Sequence, residues 1–404
     1  MSKVDFTKEY FSMKEEHAIE YAKTVLKFFS EDAVLTCKEI GDGNLNYVFK
    51  VSEEATGKSV IIKQAGPEAR ISSDIKLSTD RNRIESEILK LQYELAPGLV
   101  PEVYKYDPIM NCCSMEDLSD HTILRTALIQ HKKFPLLADH ITTFMVNTLL
   151  LTTDVVMEHK EKKALVKSFI NPELCEISEG WVYTFPFSDN EMTDVFEGTK
   201  AFVKEVIWDD KAFLLETAKL KFEFMSNAQS LIHGDLHSGS IFAKEDSTKV
   251  IDPEFAFYGP AGYDIGNVIA HLIFALANAE ATMAEGEEKA SYIAWIKESI
   301  ANVVDMFKDK FNKLWDEKAT ESVTKYDGFK EFYLNSILRD TAAVTGLELC
   351  RRIIGMAHVK DITSIEDTEK RIVAEKFCLT VGKALVMDRE GFTDGKKYLK
   401  VIEA

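Results

Sequence analysis

The sequence changes texture near residue 117, and that change restricts the fold more than any other feature. Before it, short β-branched and aromatic runs alternate with glycine-bearing turns. Residues 35–40 lead to a turn at Gly41 and Gly43, then 47–51, a polar turn through Gly57, and 59–64 with the run Val60-Ile61-Ile62. Spacing of this kind specifies hairpins. Over 79–95, Ile84, Ile88, Leu91 and Leu95 fall three and four residues apart, the period of a helix, which Pro97-Gly98 stops. Residues 100–106 and 111–116 are expected as two further strands. Beyond Asp117 the helical period dominates over 123–154, 200–229, 263–279, 289–316, 329–354 and 367–389, interrupted by one β-like island at 240–251. The expected class is α+β, with a small β-rich N-terminal lobe (1–117), a larger, mostly helical C-terminal lobe (118–404), and ligands entering a cleft between lobes. No internal repeat or low-complexity stretch is present.

Composition narrows the partners. With 49 Lys+Arg against 67 Asp+Glu, the net charge is −18, so neither nucleic acid nor an anionic membrane is expected as a general partner. An anionic ligand would need a locally positive site or a metal ion. Residues 1–21 mix acids, bases and aromatics without an apolar core, so no secretory signal is expected. The apolar run 268–279, interrupted by His271, is too short to span a bilayer and is expected as a buried helix. Six scattered cysteines form no C-x-x-C pair. Reduced thiols and a cytoplasmic setting are expected.

Three segments carry chemistry. Gly41-Asp42-Gly43-Asn44-Leu45-Asn46 lies between two expected strands, where glycines let backbone N–H groups approach phosphate oxygens. The third glycine of a full G-x-G-x-x-G is replaced by Asn46, so an ordinary hairpin turn remains open. Lys63 follows in the next strand, and a strand lysine after a glycine loop is an arrangement that cradles nucleotide phosphates. Its positioning carboxylate would come from the following helix, from Glu85 or Glu87. The strongest signal is Leu231-Ile232-His233-Gly234-Asp235-Leu236-His237-Ser238-Gly239-Ser240, an Asp between two histidines. Seventeen residues after Asp235 come Asp252-Pro253-Glu254. Two carboxylates at i and i+2, with a stiff proline between them, suit a hard cation such as Mg²⁺.

His233-Gly-Asp-Leu-His resembles the catalytic loop of the protein-kinase-like small-molecule kinases, which include aminoglycoside and choline phosphotransferases. Most of that family have a metal-binding Asn five residues after the catalytic Asp. Here that position is Ser240, and Glu254 supplies an extra carboxylate. With the 41–46 loop, Pro101-Glu-Val-Tyr104, the stretch from Phe255 to Gly266 and the stretch from Arg351 to Val359, the chain is similar over nearly its whole length to the branch that phosphorylates the 1-hydroxyl of 5-methylthioribose in methionine salvage. The resemblance implies a two-lobed protein-kinase-like fold, ATP and Mg²⁺ as cofactors, a small sugar as substrate, and a homodimer. It implies phosphate contacts from Asn44 and Lys63, and an adenine-holding hinge at Glu116-Asp117-Leu118. Asp235 would be the catalytic base and bind the sugar. Asp252, Pro253 and Glu254 would form the metal-binding strand end, with Asp252 and Glu254 as Mg²⁺ ligands, and Arg351 and Arg352 would meet substrate or the transferred phosphoryl. One departure stands out: the branch usually has a tryptophan after the lysine strand, where this chain has Ile75 or Lys76.

A kinase of a related small molecule, such as another pentose, a choline-like or an aminoglycoside-like acceptor, is the alternative within this class, and two readings of other classes compete. In a metal-dependent hydrolase, His233, Asp235 and His237 would be ligands, supplemented from His121, His271 and His358. A nucleotide-binding pseudokinase would lack the lysine, the base or a metal carboxylate. Outside the resemblance, Arg351 and Arg352 also fit a solvated helix surface, since adjacent helical residues point about 100° apart.

Overall fold

The computed structural model describes residues 4–40, 46–69, 72–76 and 78–404. The chain forms two compact units. One comprises Met1–His121 and Ile251–Phe255, the other Thr122–Val250 and Ala256–Ala404. The division falls at 121/122 where the sequence texture changes at 117. The connecting turn stays with the first unit because Asp117 accepts hydrogen bonds from Ser59 and Ser119 and pairs with Lys50, and Leu118 C=O closes a turn on His121 N–H.

In the first unit, α1 (Glu15–Thr24) precedes β1 (Leu35–Ile40), β2 (Asn46–Glu53), β3 (Ser59–Ala65), the small hairpin β4 (Glu68–Ala69) and β5 (Ser72–Lys76), α2 (Asp80–Leu95), β6 (Val103–Asp107) and β7 (Cys112–Met115). The main sheet is antiparallel in the order β1-β2-β3-β7-β6. The period of two sorts its faces. Phe49, Val51, Val60 and Ile62 point into a core with Phe6, Met13, Ala18 and Tyr21. Buried Gln64 locks the N-terminal segment onto this face, accepting from Met13 N–H (2.8 Å) and donating to Phe11 C=O (2.9 Å). The alternate residues Val48, Lys50, Ile61 and Lys63 share the opposite face, because Val48 is opposite Lys63 and Lys50 opposite Ile61. The helix α1 carries Glu15 and Glu16 in its first turn and Lys23 in its last, in keeping with the helix dipole. The apolar pattern of residues 1–21 does not announce it.

The second unit contains β8 (Thr122–Ile123), α3 (Leu124–Ile129), α4 (Leu137–Leu151), α5 (His159–Ser168), α6 (Pro172–Trp181), α7 (Glu197–Val203), α8 (Lys211–Ser226), β9 (Ser230–Ile232), β10 (Ile241–Lys244), β11 (Ser247–Val250), β12 (Phe257–Gly259), α9 (Gly262–Thr282), α10 (Glu287–Lys318), α11 (Phe329–Ile354), α12 (Lys360–Thr363), α13 (Thr368–Met387) and α14 (Gly395–Ile402). Two expected helices are broken. The 123–154 stretch splits into α3 and α4, because His131 adopts a left-handed φ of 56° and Pro135 disfavours helix before it. The 200–229 stretch splits at a π-turn, Lys204–Trp208, after which Asp210 caps α8 by accepting from Ala212 and Phe213 N–H. The apolar run around 268–279 belongs to the 21-residue α9, long enough by itself to cross a membrane, yet 83% of its apolar window is buried inside the protein.

Close helix crossings hold this unit. A Cβ on Gly346 of α11 would sit 2.3 Å from Gly382 C=O of α13. Gly346→Ala should therefore destabilise the fold by about 1–3 kcal/mol or more through overpacking, read as a lower urea midpoint. An unchanged midpoint would mean the two helices part without cost.

Candidate active site

The first unit gathers a buried ionic cluster on the outer face of its sheet. Lys63 Nζ donates to Glu85 Oε1 (2.8 Å) and to Asp252 Oδ1. The choice between Glu85 and Glu87 is thereby resolved, since Glu87 pairs instead with Arg83 at 2.6 Å. Glu85 arrives because Ile84, Ile88 and Leu89 bury that side of α2. Burial alone would depress the Lys63 pKa, but Asp252, Glu85 and Glu254 outweigh it and raise it, keeping the ammonium charged. Burial pushes Glu85 up to about 7 against the pull of Lys63.

Glu254 is also buried. Its Oε2 accepts from Asn46 Nδ2 (2.9 Å) and lies 3.8 Å from Arg81 Nε. Burial and the neighbouring Asp252 charge push its pKa up to about 8. Asp252 has a left-handed φ of 67°, costly for a residue with a Cβ and typical of functional turns. The side chain of Asp252 is 40% exposed. These hard oxygens fit a small divalent cation, and two further buried oxygens nearby, Asn46 Oδ1 and Glu85 Oε2, have no hydrogen-bond partner among the described residues. A hollow of about 570 Å³ opens against β1 and β2, lined by Thr36, Lys38, Ile40, Lys50 and Ser52. Asn44 and the glycine turn lie outside the described residues. So do the side chains of Ile75 and Lys76, whose backbone forms part of β5.

At the positions expected to form the hinge, Glu116 N–H donates to Glu102 C=O (2.9 Å), and its carboxylate accepts from Glu102 N–H (3.2 Å). Burial would raise the Asp117 pKa, but hydrogen bonds from Lys50, Ser119 and Ser59 hold it below the usual carboxylate value. Leu118 is buried.

The second unit carries the His-Asp-His loop between β9 and β10. The carboxylate of Asp264, in the first turn of α9, accepts from His233 N–H (2.7 Å) and Gly234 N–H (3.0 Å). Within the loop, His233 Nδ1 accepts from Asp235 N–H (3.2 Å) and Ser240 Oγ donates to Asp235 C=O (2.9 Å). Ser240 therefore shapes the loop. Gly239 N–H donates to His237 Nδ1 (2.9 Å), so the other ring nitrogen faces Asp235 Oδ2 as a donor at 3.4 Å. Asp235 remains 31% exposed. Its surroundings would raise its pKa by desolvation, but His237, Arg352 and Arg351 overcome this and hold it far below the usual carboxylate range.

Arg351 and Arg352, in the last turn of α11, are 8% and 9% exposed and so do not lie on a solvated surface. Both reach one carboxylate, Glu348: Arg351 Nε donates to Oε2 and Arg352 Nε to Oε1 (2.7 Å). Arg125, in α3, also joins this region, with Nη2 3.3 Å from His237 Nδ1. Burial and the charge of Arg352 lower its pKa.

Sequence reading passes over three residues of this site. Asp264 stands in the segment Tyr263-Asp264-Ile265-Gly266. Glu348 stands three and four residues before the arginine pair, the spacing at which helical side chains meet. Arg125 has no local signal at all. Removing Asp264 would strip two charge-assisted hydrogen bonds from a buried loop, each worth about 1.5–3 kcal/mol. Asp264→Ala is therefore expected to lower stability by several kcal/mol in chemical denaturation, whereas a loss below about 0.5 kcal/mol, the range of an ordinary surface change, would show that the loop holds itself.

The hydrolase reading fails on donor geometry. His233 and His237 each spend Nδ1 on the loop's own backbone, and His271 is bonded through both ring nitrogens to Ser238 and Glu348.

A family model described as "Phosphotransferase enzyme family" matches residues 180–294. The methylthioribose kinase of Bacillus pumilus (strain SAFR-032) is 42% identical over 384 residues, covering 95% of this chain and 94% of its own. The chain belongs to the methylthioribose kinase family. A second member of the family, from Geobacillus sp. (strain WCH70), is 41% identical over 390 residues, covering 96% of this chain and 94% of its own. Among solved structures, choline kinase from Cryptosporidium parvum Iowa II superposes with a TM-score of 0.50 at 13% identity, covering 95% of this chain and 99% of that one. The family member described here therefore has the kinase-like fold expected from its motifs, with a β-rich N-terminal part and a mostly helical C-terminal part.

Proposed function

We propose that this chain transfers the γ-phosphoryl group of ATP to the 1-hydroxyl of 5-methylthioribose, giving 5-methylthioribose 1-phosphate and ADP, as a step of methionine salvage. The observation that carries this reading is Asp235, a carboxylate kept ionised by His237 and the arginine pair while a third of its surface stays open. Such a group orients an attacking hydroxyl and takes its proton late, as charge leaves the nucleophile in a loose transition state.

The other roles are those the family resemblance implies. Lys63, held by Glu85, would bind ATP phosphates together with Asn44. The hinge Glu116-Asp117-Leu118 would hold adenine near the apolar side chains Ile40, Val48 and Ile61. Asp252 and Glu254, with Pro253 stiffening the turn, would hold Mg²⁺. When bound, that ion neutralises and orients phosphate oxygens. Asp235 would also bind the sugar, and Arg351 and Arg352 would face the transferred phosphoryl or the sugar hydroxyls, since planar guanidinium donors match phosphoryl oxygens. A homodimer, a cytoplasmic setting and the absence of nucleic-acid and membrane partners complete the proposal. Lys63, Asp235, Asp252 and Glu254 are all present, which argues against a pseudokinase.

An ATP-consumption screen over methylthioribose, ribose, 5-deoxyribose, choline, homoserine and an aminoglycoside tests the reading. Methylthioribose should give the highest kcat/KM by at least an order of magnitude (about 1.4 kcal/mol). A preference for any other acceptor would overturn the assignment.

A further inference from the structure

Behind the arginine pair lies a buried chain of hydrogen bonds that the reaction as described does not use. Glu348 is 1% exposed, and its two oxygens are divided between the two arginines. His271, from the middle of α9 and also 1% exposed, approaches Glu348 Oε1 through Nε2 at 3.1 Å. The other ring nitrogen of His271, Nδ1, lies 2.9 Å from Ser238 Oγ, three residues beyond Asp235.

The direction of every bond follows from the carboxylate. Arg351, Arg352 and His271 lower the Glu348 pKa well below its usual value despite burial, so Glu348 accepts only. His271 Nε2 must then carry the proton, and Nδ1 accepts from the Ser238 hydroxyl. Burial brings the His271 pKa down to about 3, so the ring stays neutral and the tautomer is set by its two partners. A guanidinium is a rigid plane, so tying down its Nε edge sets where its terminal amino groups point. Helical side chains lean toward the N-terminus, which brings Arg351 and Arg352 back over Glu348 although their Cα–Cβ bonds diverge.

We propose that Glu348 and His271 are positioning residues that hold the two guanidiniums and the catalytic loop as one hydrogen-bonded unit. The inference rests on the reading that the arginines act in phosphoryl transfer. Glu348 aims both guanidiniums, and His271 fixes the height of Glu348 relative to Ser238, hence relative to Asp235. A plain structural ion pair would need neither the shared carboxylate nor the link to the loop.

Steady-state kinetics and melting curves on Glu348→Gln, His271→Phe, Arg351→Ala, Arg352→Ala and the double variant Arg352→Ala/Glu348→Gln test it. Glu348→Gln should lower kcat about 10²-fold, the cost of a misplacement near 1 Å, with the KM for ATP within about twofold of the parent. His271→Phe keeps the ring volume and should lower kcat about tenfold. The double variant should lose less than the product of the two single losses, because Glu348 acts in part through Arg352. Losses that multiply in the double variant, or parental kcat in a folded His271→Phe, would overturn the inference. Should Glu348→Gln fail to fold, His271→Phe decides. If both arginine variants are crippled while Glu348→Gln and His271→Phe turn over normally, the positioning role fails alone. If both arginine variants are unimpaired, the reading beneath it fails.

Discussion

Asp235→Asn is expected to abolish turnover while ATP binding survives. The amide has the shape of the carboxylate and leaves the loop's backbone bonds in place, since Asp264, His233 and Ser240 hold that backbone without using the Asp235 side chain. What it cannot do is take the sugar proton. Positioned acid–base groups are worth about 10²–10⁴ in rate. The amide does not titrate in the working range, so no pH adjustment restores the variant. ATP binding, followed by fluorescence or calorimetry, should remain near normal. A variant with parental kcat would remove Asp235 from the chemistry.

Glu254→Gln is expected to raise the Mg²⁺ concentration needed for half-maximal activity by at least tenfold, with a fall in kcat at saturating metal. The substitution removes the negative charge that Glu254, whose pKa is pushed up to about 8 in the ion-free site, would present to a bound ion, and each factor of ten in affinity is about 1.4 kcal/mol. Ser240 makes Glu254 the sharper test. The position where related kinases carry a metal-binding Asn is spent here on Asp235 C=O, so an oxygen must come from elsewhere. Asp252→Asn should act in the same direction and also loosen Lys63, which Asp252 holds together with Glu85. Unchanged Mg²⁺ dependence in Glu254→Gln would break the link between that serine and this carboxylate.

Much of this site is legible in the sequence because its residues lie in short, unusual strings. His233-Gly-Asp-Leu-His and Asp252-Pro-Glu are local patterns that few surface loops produce, and Lys63 lies in a strand whose apolar period is plain. The regular helices α9, α10, α11 and α13 are read within a few residues because each buries a face over five turns or more. The rest depends on tertiary partners. The three-residue strands β9 and β12 are too short to show a period, and their pairing joins Ile232 to Phe257. The helix α1 carries no clean apolar stripe and is held by Tyr21, whose hydroxyl donates to Asp107 at 3.0 Å. That Ile251–Phe255 belongs with the first unit is a tertiary matter, seen in the bonds of Asp252 to Lys63 and Glu254 to Asn46 and in the approach of Glu254 to Arg81. The burial of Arg351 and Arg352 turns on one glutamate, legible by its spacing only once the arginines are known to matter.

The most direct measurement is ³¹P NMR of the protein incubated with ATP, Mg²⁺ and 5-methylthioribose. The expected result is loss of the ATP γ-phosphorus matched by one new phosphomonoester signal, coupled to the anomeric proton and absent with Asp235→Asn. Release of inorganic phosphate without a sugar phosphate, or a phosphomonoester coupled to the proton of another carbon, would contradict it.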